Sequence, residues 1–167
     1  MKIYVSGTFT AQKRLREQAE RLFHLGHEIT STWLTEVAKP DHLSEDEWLF
    51  RLATKDVAEV FASDCIIMDI EGKSTSGGRY TEWGVASHPR DAKLRYIVGP
   101  MERGCFQRLA DRHFETWDEL IAFLAPHAKQ GAHNPGDFPV DHQPSKGSLI
   151  HGGEPYEHPL GYRKGAE

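Results

Sequence analysis

Apolar positions recur along this chain with two alternating periods, one strand-like and one helical. Lys2 to Val5 alternates and is rich in β-formers, which predicts a strand, and Ser6-Gly7-Thr8 then makes a tight turn of small residues. From Ala11 to Leu25 the residues Leu15, Ala19, Leu22 and Phe23 recur at helical spacing, and Gly26 supplies a stop. His27 to Leu34 reads as a second strand. Ser44-Glu45-Asp46-Glu47 is a capping-box pattern that opens a second helix, whose apolar stripe is Leu49, Leu52, Ala53, Val57 and Val60. Cys65 to Met68 is a continuous apolar run, as expected of a parallel strand buried on both faces. The polar loop Glu71 to Gly78 leads to a short helix from Arg79 to about Ser87. Leu94 to Val98 and a brief segment near His113 to Glu115 complete five strands, and Thr116-Trp117-Asp118-Glu119 caps a last helix.

Strands that alternate with helices predict an α/β domain, a mostly parallel sheet of about five strands covered on both faces. Ligands of such sheets bind beyond the carboxyl ends of the strands, where the strand order reverses. That rule selects the loops Ser6 to Thr10, Trp33 to Ser44 and Asp69 to Gly78.

From His127 onward the pattern stops. Five of the nine prolines, seven of the fifteen glycines and five of the ten histidines fall between His127 and Glu167, among few apolar residues. Such a segment cannot bury enough surface to offset its ordering entropy, so the expected division is a domain over 1–126 and a flexible polar tail over 127–167. The tail's histidines have irregular spacings, without a helical pair to hold a metal.

Composition narrows the classes of function. The 25 acidic residues outnumber 20 basic ones for a formal net charge of -5. A basic face of the kind that coats a nucleic-acid polymer is not visible, and a small nucleotide is the more plausible nucleic-acid link. Cys65 and Cys105 lie far apart without ligand spacing, which argues against a disulfide framework and a zinc site. MKIYVSGTF is too short and polar for a signal peptide, and no stretch approaches the roughly 20 apolar residues of a membrane span. A cytoplasmic protein is expected, with no membrane partner, no metal and no cofactor.

Two places carry chemistry. Asp56 falls inside the apolar stripe of the second helix, four residues after Leu52 and four before Val60. Burying an unpaired carboxylate is unfavourable, so Asp56 either bonds a nearby backbone group or Arg51 at the edge of the stripe, or is aimed at a ligand. The second place is Ser74-Thr75-Ser76-Gly77-Gly78-Arg79-Tyr80-Thr81-Glu82-Trp83-Gly84. Hydroxyls and glycines at a helix start make an anion cradle, because the first backbone N–H groups lack partners within the helix. Gly72-Lys73-Ser74 is not a P-loop, since Ile67 stands where that motif needs its first glycine. Glu82 lies in the first turns of that helix, where the dipole favours its ionised form. It is either a solvent-facing helix starter or a carboxylate able to attack an anomeric carbon. Trp33, at the end of the second strand, either stacks on a base or packs under the following loop. Tyr80 and Trp83 read as core aromatics.

Asp56 to Ala86, with Ala62-Ser63-Asp64 before the apolar strand and Glu82-Trp83-Gly84-Val85-Ala86 after the loop, resembles the nucleoside 2-deoxyribosyltransferase family. Its superfamily also holds 2'-deoxynucleoside 5'-phosphate N-hydrolases. Ile3-Tyr4-Val5-Ser6-Gly7 and Phe114-Glu115-Thr116-Trp117 match the family's habit too, and the resemblance covers Met1 to about Ala125. It implies a Rossmann-like (flavodoxin-like) three-layer domain and a homodimer in which one subunit completes the other's site. It further implies that Glu82 is the nucleophile at C1', that Asp56 assists base departure or orients the sugar, and that Ser6, Gly7, Thr8 and Phe9 line the sugar and base. Ser76, six residues before Glu82, stands where the transferase branch tends to place an Asp on the 5'-hydroxyl and the hydrolase branch a Ser on the 5'-phosphate. Gly77-Gly78-Arg79 departs from the family pattern, in a longer and more polar loop. A serine, the N–H groups of Gly77 and Gly78, and Arg79 suit a phosphate, which a carboxylate would repel.

The expected activity is therefore cleavage of the N-glycosidic bond of a 2'-deoxynucleoside 5'-monophosphate through a glycosyl-Glu82 intermediate. Base exchange by a nucleoside deoxyribosyltransferase, and a nucleotide-binding module without turnover, are the alternatives.

Overall fold

A computed structural model describes residues 1–36, 38–72, 77–88, 93–101 and 104–127. The expected tail from 128 onward and Ser76 lie outside the described residues. Five parallel strands form one sheet in the order β2-β1-β3-β4-β5: β1 (Lys2–Ser6), β2 (Glu28–Ile29), β3 (Cys65–Asp69), β4 (Leu94–Val98) and β5 (Arg112–Phe114). Helices α1 (Gln12–His24) and α4 (Trp117–Leu124) pack together, as do α2 (Glu45–Ala62) and α3 (Gly78–Ala86), giving the α/β three-layer fold. β3 is buried along its whole length, as its apolar run requires.

Local chemistry explains most boundaries. Gly26 ends α1 at φ 81°, a conformation that L side chains rarely adopt. Ser44 Oγ accepts from the Glu47 N–H while the Glu47 carboxylate accepts from the Ser44 N–H, completing the capping box of α2. Thr116 Oγ1 accepts from the Glu119 N–H, and the Glu119 carboxylate accepts from the N–H of Glu115 rather than of Thr116. Gly7 lets α1 approach β1: a Cβ there would lie 2.3 Å from Cδ1 of Leu15, which is wholly buried.

Two expectations are corrected. The second strand does not run from His27 to Leu34 but stops at Ile29. Beyond it, Ser31 Oγ accepts from the Val5 N–H at 3.1 Å, and the Trp33 indole donates to the Val5 carbonyl at 2.8 Å. Side chains thus meet both backbone groups of Val5 that a longer strand would have paired, and the chain turns into a 3-10 turn, Thr32–Thr35. The stripe of α2 is also less buried than its period implies. Only Val60 is fully buried, and Leu49 is 52% exposed. An 18-residue helix spans about 27 Å, against about 16 Å for the five-residue β1 that it touches, so α2 outruns the sheet, and its first half is mostly exposed.

No helix among the described residues is long and apolar enough to cross a membrane.

Candidate active site

The strand order reverses between β1 and β3, and the candidate site lies where their carboxyl ends meet α2 and α3. Side chains alternate along a strand, so Tyr4 and Ser6 share the face of β1 that meets α3. The Tyr4 hydroxyl donates to Glu82 Oε1 at 2.9 Å and the Ser6 hydroxyl to Oε2 at 2.5 Å. Both donors are fully buried, and each carboxylate oxygen receives one of them.

Glu82 occupies the second turn of α3, beyond the reach of the first-turn dipole. Its ionised form is therefore less favoured than its place in the sequence suggests. Burial pushes the carboxyl up to about 7, against the bonds from Ser6 and Tyr4 that favour the charged form, and the charges of Asp56 and Glu59 push the same way as burial. Burial, with the same carboxylates nearby, raises the Tyr4 hydroxyl far above its ordinary value, so it remains a donor.

Asp56 lies on α2, which packs against α3, and its charge acts on both Glu82 and Tyr4. Its Oδ1 is buried and has no hydrogen-bond partner, and Arg51, one of the partners considered for it, is exposed. Lys55 Nζ is 4.0 Å from that oxygen and bonds instead to the carboxylate of Glu36. Burial raises the Asp56 carboxyl, and Lys55 opposes the rise. One turn further on, Glu59 accepts from the Thr32 N–H at 3.0 Å and from its hydroxyl at 2.5 Å, which ties the 3-10 turn to α2. A buried carboxyl oxygen without a partner, beside a second carboxyl with two donors, can give a proton to one atom of a ligand while the other attacks a neighbouring atom.

The other expected residues divide. Thr8 is nearly buried, with Oγ1 3.1 Å from Thr10 Oγ1, and Phe9 stands 71% exposed at the rim. Gly77 and Gly78 begin α3, the Gly77 carbonyl accepting from the N–H groups of Tyr80 and Thr81. Arg79 is 3% exposed and turned under the loop, where Nη1 donates to the carbonyls of Asp69 and Gly72 at 3.3 Å. Trp33 belongs to the core, so of its two expected roles it takes the packing one. Trp83 is also core, while Tyr80 is 36% exposed and lies under the Arg79 guanidinium.

Beside the site, Thr8, Thr10, Ala11, Arg14, Glu71 and Gly72 line a cavity of about 340 Å³. Arg14 bonds both oxygens of the buried Asp69 at 2.9 Å and pairs with Glu71 at the same distance, and the Trp117 indole donates to Asp69 Oδ2 at 2.7 Å. Sequence reasoning identified neither this hub nor Tyr4.

No family model matches the sequence, and a comparison with curated proteins finds no match. Among solved structures, the chain resembles a 2-deoxyribosyltransferase from Bacillus psychrosaccharolyticus, with a TM-score of 0.61 and 19% identity over 72% of this chain and 90% of that one. A conserved protein from Enterococcus faecalis V583 superposes with a TM-score of 0.56 and 15% identity, over 76% and 98% of the two chains. A CMP N-glycosidase of Clostridium botulinum follows at 0.46 and 14%, over 74% and 98%. These likenesses describe the fold.

Proposed function

We propose that the protein cleaves the N-glycosidic bond of a 2'-deoxynucleoside 5'-monophosphate, with Glu82 as nucleophile and Asp56 as the acid. The observation that carries this reading is the pairing of Glu82, held by two hydroxyl donors, with Asp56, whose buried Oδ1 has none. Likeness in fold to a 2-deoxyribosyltransferase supports it. In the productive state the pair holds one proton, on Asp56, because the hydroxyls of Tyr4 and Ser6 favour the charge on Glu82. A Glu82 oxygen attacks C1' as the bond to the base breaks, and the base leaves with the Asp56 proton. Water then attacks C1', returns a proton to Asp56 and frees Glu82, giving free base and 2-deoxyribose 5-phosphate. Thr8, Phe9, Gly7 and the 76–78 loop would line the substrate, and Ser76 would hold its phosphate.

One observation favours a second reading, base exchange on an uncharged nucleoside. Nη1 of Arg79 is spent on backbone carbonyls, and the cavity's Arg14 is matched by both Asp69 and Glu71, so Arg14 offers no unbalanced charge to a phosphate there.

Exposed apolar residues on the first half and end of α2, Leu49, Phe50 (73% exposed) and Phe61 (57%), suit a second copy of the chain. A homodimer is part of the proposal, checked by sedimentation.

The test is a panel of deoxynucleosides and their monophosphates, with free base followed by chromatography, with and without a second base. Faster release from monophosphates supports the first reading, and new nucleoside formed only with added base supports the second. A panel without cleavage or exchange overturns both.

A further inference from the structure

The 3-10 turn beside the site is fastened from every side. Gln12 Nε2, at the start of α1, donates to the carbonyls of Trp33 at 2.6 Å and Glu36 at 3.2 Å. The Trp33 indole fixes the turn to β1, and Glu59 fixes it to α2 through Thr32. Glu36, the residue that closes the turn, is thereby placed against Lys55, whose ammonium it accepts. Both side chains are partly enclosed, at 19% and 32% exposure, and their attraction is therefore less screened than that of an open surface pair.

Lys55 is also the chain neighbour of Asp56. Its ammonium stands 4.0 Å from Asp56 Oδ1, outside hydrogen-bond range, and that oxygen is left without a partner. The charged or titratable groups facing Asp56 are Lys55 and Glu59 on α2, Tyr4 on β1, Glu82 on α3 and Glu36 on the turn. Lys55 is the one cation in this set. Released from Glu36, it would close the remaining gap, bond Asp56 and hold it ionised, and an ionised Asp56 has no proton for a leaving base.

We propose that Glu36 is a positioning residue that holds Lys55 off Asp56, so that the Asp56 carboxyl keeps both its proton and an unengaged oxygen for the substrate. This rests on the reading of Asp56 as the acid. Lys55 already lowers the Asp56 carboxyl from 4.0 Å, and because a nearby opposite charge lowers a carboxyl by about 1–3 pH units, closing to hydrogen-bond distance lowers it further. The basic limb of the pH–rate profile, where the carboxyl pair loses its last proton, is therefore the quantity to follow.

The experiment measures kcat and KM for base release against pH in the full-length protein and in Glu36→Gln, Lys55→Met, the double variant and Asp56→Asn. In Glu36→Gln the basic limb moves down by about one unit, and kcat above it falls about tenfold with KM little changed. Lys55→Met moves the limb upward, because the cation that lowers Asp56 is gone. The double variant returns the limb at least to the wild-type position, which a merely structural role for Glu36 would not do. An unmoved limb in folded Glu36→Gln, or a double variant no better than Glu36→Gln, overturns the proposal. Asp56→Asn reports on the underlying reading separately: it should abolish the basic limb, and a limb that persists shows that Asp56 is not the acid.

Discussion

Tyr4 and Glu82 are 78 residues apart in sequence, and the hydroxyl of the first lies 2.9 Å from Oε1 of the second. The contact crosses from the first strand of the sheet to the helix that follows the third. It gives the carboxylate a buried, permanently protonated donor, and with Ser6 it fixes the direction in which Glu82 points.

Replacing Tyr4 by Phe keeps the ring in the core and removes that donor alone. A hydrogen bond to a charged group contributes about 1.5–3 kcal/mol, so kcat for base release should fall by about 10–100-fold. Fluorescence or circular dichroism should show an intact fold. A Tyr4→Phe protein with wild-type kcat would show that the contact does not position the nucleophile.

The pH profile follows from one proton shared by two carboxyls. Burial places the Glu82 carboxyl at about 7, and burial also raises Asp56, so the pair should lose its last proton near pH 7. Activity should be bell-shaped, falling above about pH 7 as Asp56 can no longer supply a proton, and falling at lower pH as Glu82 becomes protonated. A rate that simply rises through pH 7 to a plateau would leave Glu82 as the base form but remove Asp56 from the acid role.

The same burial affects stability. Burial lifts the coupled carboxyls, on the Glu82 side from an ordinary 4.5 to about 7, so the folded state holds the pair's last proton more tightly than the unfolded chain does. This contribution to stability is fully present below about pH 4.5 and is lost as pH rises toward 7, by an amount of the order of 3 kcal/mol. Glu82→Gln cannot ionise and should melt several degrees higher than wild type at pH 8, with the difference closing near pH 4.5. An equal difference at both values would show that ionisation is not its source.

Asp69 joins three elements through Arg14 of α1 and the Trp117 indole of α4. Asp69→Ala leaves the buried Trp117 N–H unpaired and takes one of the two carboxylate partners from the half-enclosed Arg14 guanidinium, which should destabilise the fold by about 3 kcal/mol in urea unfolding. A change below about 0.5 kcal/mol would mean that water replaces both partners.

Local signals carried the element order, the α2 capping box and the two carboxylates. Asp56 stood out because a charge interrupted a helical stripe, whereas Glu82, by itself an ordinary acid near a helix start, stood out only through the hydroxyls and glycines before it together with the family resemblance. Tyr4 was hidden because a tyrosine in a strand reads as an ordinary β-former. The available clue was its i, i+2 relation to Ser6, which puts both on one face. Asp69 was hidden because its partners lie 55 and 48 residues away. The overlong second strand has a similar cause. Thr30 to Leu34 fits a strand or a tight turn equally well, and only the demands of the Val5 backbone decide between them. How far α2 outruns the sheet depends on strand length, which no helical period contains.

The central claim, that Glu82 forms the bond to C1', is tested most directly by base release from the best substrate of the panel with Glu82→Ala. Loss of at least about a thousandfold in kcat, with ligand binding retained, is the predicted result. Free base appearing at an undiminished rate would contradict it.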